Sequence, residues 1–363
     1  MAKEKKEKKA KIFHIPRLQD KGNIPRVTEF VETGCLPLDV VLCGGWPVGR
    51  FSIMYGGSAS GKSALAAAAC ASAQKQGWPA YYLDNEKAVD EEFFSSLGVS
   101  VKDLIYDAPV TLKHTFDGLT QKEADELNKD SPYNEEDDGY VEWTPVLGIK
   151  NFIEWKNSEY GPKTPAVVIW DSIASTTTGE EMLREGEDTG YPLFAKALSA
   201  ELRKGVSSWA QSNLCFIAIN QIRTKLGQTF GDTDALYGGK GVPFYSSVTL
   251  KLQYKGKTKK ARAKGHVIVA ENVVATCVKN RQGRRWRYTK LVTEFNDGIN
   301  EFKSLLEMFK EFGLATIAIK NVTFTAAPLT GEVLTKDEIK QKLKSDNNFR
   351  DDIYDMLDEA FTP

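Results

Sequence analysis

Eight consecutive residues, Gly56-Gly57-Ser58-Ala59-Ser60-Gly61-Lys62-Ser63, constrain what this chain can fold into more than any other feature. They fit GxxxxGK[ST]. The apolar run FSIMY (51–55) precedes them, and the alanine-rich stretch ALAAAACASAQKQ follows until Gly77 and Pro79 interrupt it. Strand, glycine loop and helix in that order let backbone N–H groups and a helix N-terminus surround a phosphate. Lys62 would add a mobile positive charge and Ser63 a hydroxyl for Mg²⁺.

The same logic extends along the chain. AYYLD (80–84), AVVIWD (166–171) and LCFIAIN (214–220) are short apolar runs bounded by polar turns, as buried parallel strands are. PLFAKALSAELRKGVSSWA (192–210) has the helical pattern of a crossover between such strands. From residue 246, VTLKLQY, HVIVAENVVATCVK and WRYTKLVTEF read as antiparallel strands extending the sheet. Ahead of the core, TGCLPLD and CGGWPVGR read as two glycine-rich turns. After Gly298-Ile299-Asn300, amphipathic stretches at 301–312 and 336–359 predict a small C-terminal α+β domain. The expected fold is therefore α/β, a mostly parallel central sheet extended by antiparallel strands. It divides into a basic segment 1–32, a core 33–300 and a C-terminal domain 301–363.

Composition sets limits on that outline. The 363 residues, 41% hydrophobic and 27% charged, suit about two domains or one large α/β domain with appendages. No apolar run reaches the length of a membrane-spanning helix. The opening MAKEKKEKKAKIF lacks the apolar stretch of a secretory signal, so a cytoplasmic protein is expected. Cys35, Cys43, Cys70, Cys215 and Cys277 are scattered and never spaced as CxxC; they are expected to be reduced, buried thiols. His14, His114 and His266 lie too far apart in sequence to suggest a metal or triad site.

Net charge is only −1, but the charges are segregated. Residues 117–142 are strongly acidic, and with Pro132 and Gly139 as breakers they predict an exposed insertion at about 112–150. KLQYKGKTKKARAK (251–264) and KNRQGRRWRYTK (279–290) are strongly basic.

Two strand ends supply the chemistry the loop needs. Asp171 closes AVVIWD where a carboxylate reaches the sheet edge beside the loop, the Walker B position, and can hold Mg²⁺ through water. Glu86, two residues past AYYLD, is the candidate base for hydrolysis. Asn220-Gln221, ending the third strand, offers an amide able to sense a γ-phosphate.

With these motifs in order, the chain resembles a RecA-type DNA recombinase of the bacteriophage-encoded kind. The likeness runs from about Thr33 to the C-terminus, through TGCLPLDVVLCGGWPVGRFSIMYGGSASGKS, LDNEKAVD, FIAINQIRTKLGQTFGDTDALYGGKGVPFYSSV, TCVKNR and FNDGIN. It implies an ATP- and Mg²⁺-dependent protein that polymerises on single-stranded DNA and exchanges strands with duplex DNA, in recombination and repair. Its own copies and single-strand-binding or mediator proteins are the candidate protein partners, with no membrane. Host cytoplasm is the expected location. By residue, the resemblance implies that Glu86 activates water and Gln221 couples the γ-phosphate to a DNA loop. Lys279 and Arg281 would reach the γ-phosphate of the neighbouring protomer, and Asp90, Phe93 and Phe295 would hold adenine. A first DNA loop, about Thr177–Tyr191, leads to Lys196 and Arg203. A second, about Ile222–Tyr237, offers Arg223, Lys225, Leu226 and Phe230, with Gly238 and Gly239 behind it. Arg281 stands where lysine is common in the family, and the usual N-terminal helix is not recognisable. The alternatives are a hexameric helicase-like motor and a non-catalytic nucleotide-binding filament regulator.

Overall fold

The computed structural model of the chain describes residues 27–108, 145–176, 191–224, 234–239, 241–261, 266–295 and 297–362. The basic tail, the whole acidic segment 117–142, most of both expected DNA loops, and with them Lys225, Leu226 and Phe230, lie outside the described residues.

A short strand, β1 (Phe30–Val31), leads into helix α1 (Leu36–Leu42); β2 (Trp46–Pro47) pairs back on β1 and β3 (Arg50–Gly56) runs into the glycine loop. Helix α2 (Lys62–Lys75), β4 (Ala80–Asp84), α3 (Glu91–Ser96) and β5 (Leu104–Asp107) follow. Beyond the acidic segment come α4 (Pro145–Glu159), β6 (Ala166–Asp171), α5 (Tyr191–Gln211) and β7 (Leu214–Thr224). Strand β8 (Asp234–Leu236), helix α6 (Gly241–Tyr245) and strands β9 (Val248–Ala261), β10 (His266–Asn280), β11 (Tyr288–Glu294) and β12 (Gly298–Ile299) complete the core.

The central sheet has the order β12-β11-β10-β9-β3-β7-β6-β4-β5. It is parallel from β9 to β5 and antiparallel from β9 to β12. Alternation along the parallel strands builds two cores. Met54, Tyr82, Val167, Ile169, Cys215 and Ile217 face the side covered by α2, whereas Phe51, Ile53, Tyr81, Val168, Trp170 and Phe216 face the side covered by α4 and α5. That two-sided burial explains why the three runs are apolar throughout.

Two sequence readings change. TGCLPLD is a helix start: Pro37 occupies its first turn, all seven residues of α1 are buried, and the chain exits through Cys43 in a left-handed conformation. Residues 145–150, read as the end of the insertion, open α4, and Ile149 is fully buried in the second core.

The C-terminal part has its own hydrophobic cluster. Helix α7 (Glu301–Phe312) begins at an Asn300 cap; strands β13 (Ala315–Ile317), β14 (Asn321–Phe324) and β15 (Val333–Thr335) form a small antiparallel sheet. The expected stretch 336–359 is two helices, α8 (Lys336–Ser345) with a Thr335/Glu338 capping box and α9 (Asn347–Ala360). Asp346 breaks them by capping α9, accepting from the Phe349 N–H at 3.1 Å. The cluster takes in Leu36 and Val40 from α1, so this domain is packed onto the core rather than tethered to it.

Candidate active site

The glycine loop turns sharply because its backbone passes close to its neighbours. A Cβ on Gly56 would lie 2.5 Å from the Leu252 carbonyl oxygen, and Gly61 sits at φ +80°, so neither tolerates a side chain easily. Lys62 Nζ donates to the Gly57 carbonyl at 2.7 Å and the Gly56 carbonyl at 3.3 Å, lying back along the loop. Ser63 Oγ donates to Asp171 Oδ2 at 3.2 Å, and Tyr82 Oη donates to the same oxygen at 2.7 Å. The ends of β3, β6 and β7 thus converge on a cleft of about 350 Å³, lined by Gly56, Gly57, Ser58, Ala59, Lys62, Ser63, Glu86, Asp171, Gln221 and Ile222. Ser60 is buried, its hydroxyl donating to the Gly57 carbonyl at 2.9 Å to brace the loop.

The electrostatics suit a polyphosphate with a divalent ion. Burial lowers the Lys62 ammonium from its ordinary value, while Asp171 and Glu86 pull it back up. Burial pushes Asp171 up to about 6, and Glu86 adds to the rise against the hydrogen bonds from Tyr82 and Ser63. A divalent cation at the Ser63 hydroxyl would favour the ionised carboxylate, so the donor set fits Mg²⁺.

Glu86 is held from three directions. Its Oε1 accepts from Ser172 Oγ at 2.6 Å, Ser175 Oγ at 2.9 Å and Gln221 Nε2 at 3.0 Å. Burial alone would raise its carboxyl; these hydrogen bonds, with Lys62 nearby, outweigh it and hold the group below the usual range. Of the pair Asn220-Gln221, only Gln221 faces the cleft. Asn220 is fully buried, donating to the Tyr237 carbonyl at 2.9 Å and accepting from the Gln221 N–H at 2.8 Å.

The other expected residues lie outside this cleft. Asp90 caps α3 by accepting from the Phe93 N–H at 2.7 Å; Phe93 packs against the first core, and Phe295 is 52% exposed past the end of β11. Lys279 Nζ donates to the carbonyls of Pro243 (2.6 Å) and Phe244 (3.2 Å), and Arg281 Nη2 to that of Phe244 (3.0 Å). Both cations therefore sit at the C-terminal end of α6, where free carbonyls attract them. Arg281 also borders an open hollow of about 590 Å³ with Phe30, Arg50, Val206 and Tyr245. Lys196 and Arg203 are exposed on α5, seven residues apart and so on one face. Arg223 lies in the base of a hairpin, β7 against β8, from which the second expected loop would project. Gly238 is buried, and a Cβ there would lie 2.5 Å from Leu198 Cδ2, so no side chain fits at that position, while Gly239 at φ +76° is partly open.

Sequence reasoning missed Ser172, Ser175 and Tyr82. Ser172 directly follows the strand-end aspartate, which was a usable signal; Ser175 and Tyr82 had none.

Comparison with known proteins decides what this arrangement belongs to. The family model described as the RecA N-terminal domain matches residues 3–120 and 163–300. The chain belongs to the RecA family. Protein RecA of Legionella pneumophila is 29% identical over 314 residues, covering 84% of this chain and 78% of that protein. Protein RecA of Syntrophobacter fumaroxidans (strain DSM 10017 / MPOB) is 30% identical over 311 residues, covering 83% and 79%. Among solved structures, the RadB recombinase aligns with a TM-score of 0.49 at 19% identity, covering 74% of this chain and 98% of that one. The gap in the RecA family match, between residues 120 and 163, contains most of the acidic segment and α4. Among the described residues no helix is long and apolar enough to cross a membrane.

Proposed function

We propose that this RecA-family chain is an ATP-dependent recombinase that polymerises on single-stranded DNA and pairs it with homologous duplex, hydrolysing ATP at the cleft above. The observation that carries the reading is the meeting of Lys62, Ser63, Glu86, Asp171 and Gln221 in one cleft, with Lys279 and Arg281 held outside it on the carbonyls that end α6. The loop amides and Lys62 would bind the β- and γ-phosphates, and Ser63, with Asp171 through water, would hold Mg²⁺. When bound, that ion neutralises charge on the phosphate oxygens.

Glu86 would take a proton from the attacking water. The water oxygen bonds to the γ-phosphorus as the bond to the β,γ-bridging oxygen breaks, and ADP leaves with that electron pair. Gln221, hydrogen-bonded to Glu86 and three residues from the end of β7, would link the γ-phosphate to the second DNA loop. Lys279 and Arg281 are placed away from their own cleft, which suits action on the γ-phosphate of a neighbouring copy. Asp90, Phe93 and Phe295 would enclose adenine. Lys196, Arg203, Arg223, Lys225, Leu226, Phe230 and Gly239 would serve the polynucleotide, the cations by neutralising phosphates and Leu226 by wedging between bases. A bacteriophage source belongs to the same reading and rests on the sequence resemblance.

The test is strand exchange between homologous circular single-stranded and linear duplex DNA with Mg²⁺. Joint molecules are expected with ATP and not with ADP. Closed rings without filaments by electron microscopy, or ATP turnover without joint molecules, would overturn the reading.

A further inference from the structure

The two carboxylate oxygens of Glu86 are treated unequally. All three described donors, Ser172 Oγ, Ser175 Oγ and Gln221 Nε2, converge on Oε1 and none on Oε2. A carboxylate oxygen offers about two lone-pair sites, so three donors saturate Oε1. The lone pairs left to accept a proton are those of Oε2. Ser172 and Gln221 reach the carboxylate from the ends of β6 and β7. Ser175 reaches it from the short 3-10 turn Ile173–Ser175, its hydroxyl 3.0 Å from that of Ser172. The turn is itself anchored: the indole N–H of buried Trp170 donates to Thr176 Oγ1 at 3.0 Å, and that hydroxyl donates to the Ser172 carbonyl at 3.0 Å. The Ser175 hydroxyl is therefore aimed at Glu86 by fixed neighbours on both sides.

We propose that Ser175 is a positioning residue for Glu86, occupying Oε1 together with Ser172 and Gln221 so that Oε2 is presented to the attacking water. The inference rests on Glu86 being the base, and it adds a residue one position before Thr176 and the stretch read as the first DNA loop. A hydrogen bond to a charged group is at stake, so Ser175→Ala should lower kcat for ATP hydrolysis on single-stranded DNA roughly tenfold. KM for ATP and the affinity for single-stranded DNA should stay at wild-type values, since Ser175 is not among the residues lining the cleft and its described side-chain contacts are with Glu86 and Ser172. Ser175→Thr, which keeps the hydroxyl, should restore most of the rate, and Ser175→Val, of the same shape without it, should not.

Wild-type kcat in Ser175→Ala would overturn the proposal, as would equal losses in the Thr and Val variants or a loss confined to KM. The Thr/Val pair keeps the test decisive if the alanine variant folds poorly. Glu86→Gln separates this idea from its premise. Full turnover in that variant would remove Glu86 as the base, whereas an inactive Glu86→Gln beside an unimpaired Ser175→Ala would remove only the role given to Ser175.

Discussion

Lys279 is under two opposing demands. Its ammonium is lodged against the carbonyls that end α6, yet burial, with the charge of Arg281 added, brings it down to about 8. Below that pH the side chain is charged in the free protomer; as pH rises through about 8 it loses its proton and with it the charge that the proposed contact with a neighbour's γ-phosphate requires. ATP-dependent filament assembly from free protomers should therefore slow on the alkaline side of about pH 8, and Lys279→Arg should push that limb upward, because guanidinium stays charged. Light scattering across a pH series reads this directly, and superimposable profiles would place Lys279 outside the interface. At this scale the sequence was legible where a residue type is tied to a motif. The glycine loop, Asp171, Glu86 and Gln221 could be named because each follows an apolar strand at its polar end. Ser175 could not, since a serine within IASTTTG looks like any loop residue until the turn anchored by Trp170 aims it.

Helix α5 shows how an element can carry a residue that its pattern does not explain. Gly205 interrupts an otherwise good helical run, and the reason is the Trp209 ring: a Cβ at 205 would lie 2.3 Å from its Cζ2. That ring cannot slide away, being 3% exposed and packed edge-on against Phe216 with centroids 4.4 Å apart. Gly205→Ala should thus destabilise by about 1–2 kcal/mol, the overpacking strain exceeding the ~1 kcal/mol gained in helix propensity. A thermal midpoint lowered by several degrees is the expected result; a rise would mean the ring relocates at little cost. The strands were legible from their length and apolar content because both faces of the sheet are covered. Helix α1 was not, since seven residues give less than two full turns of periodicity and the flanking Gly34, Gly44 and Gly45 suggest turns.

For the whole molecule, the question is what holds the C-terminal part against the core. Arg287 of the loop before β11 is 7% exposed; its Nη1 donates to the Val40 carbonyl at 3.1 Å and pairs with Asp358 of α9, while its guanidinium lies 5.3 Å from the Phe361 ring centroid. Arg350 of α9 pairs with Glu301 of α7, and that carboxylate also accepts from the Leu36 N–H at 3.0 Å. Asp358 is 42% exposed and can rehydrate, so Arg287→Ala should cost about 1–2 kcal/mol rather than the ~3–5 of a fully buried broken pair. The expected sign is faster proteolytic release of a C-terminal fragment with the ATPase retained; unchanged cleavage would show that apolar packing alone secures the join. Little of this docking was visible beforehand: Arg287 meets Val40, and Glu301 meets Leu36, across more than two hundred positions, and even the Arg287–Asp358 and Arg350–Glu301 pairs span 71 and 49.

Helix α1 is shared property. Leu38, Val41 and Leu42 belong to the core beneath the sheet, whereas Leu36 and Val40 belong to the C-terminal cluster. Shortening the chain at residue 300 would strip the cover from one flank of that helix and leave a greasy scar beside the entrance strand. A trimmed protein of this kind is a poor stand-in for the parent, since any self-association it displayed would mix adhesion at the scar with genuine polymer growth.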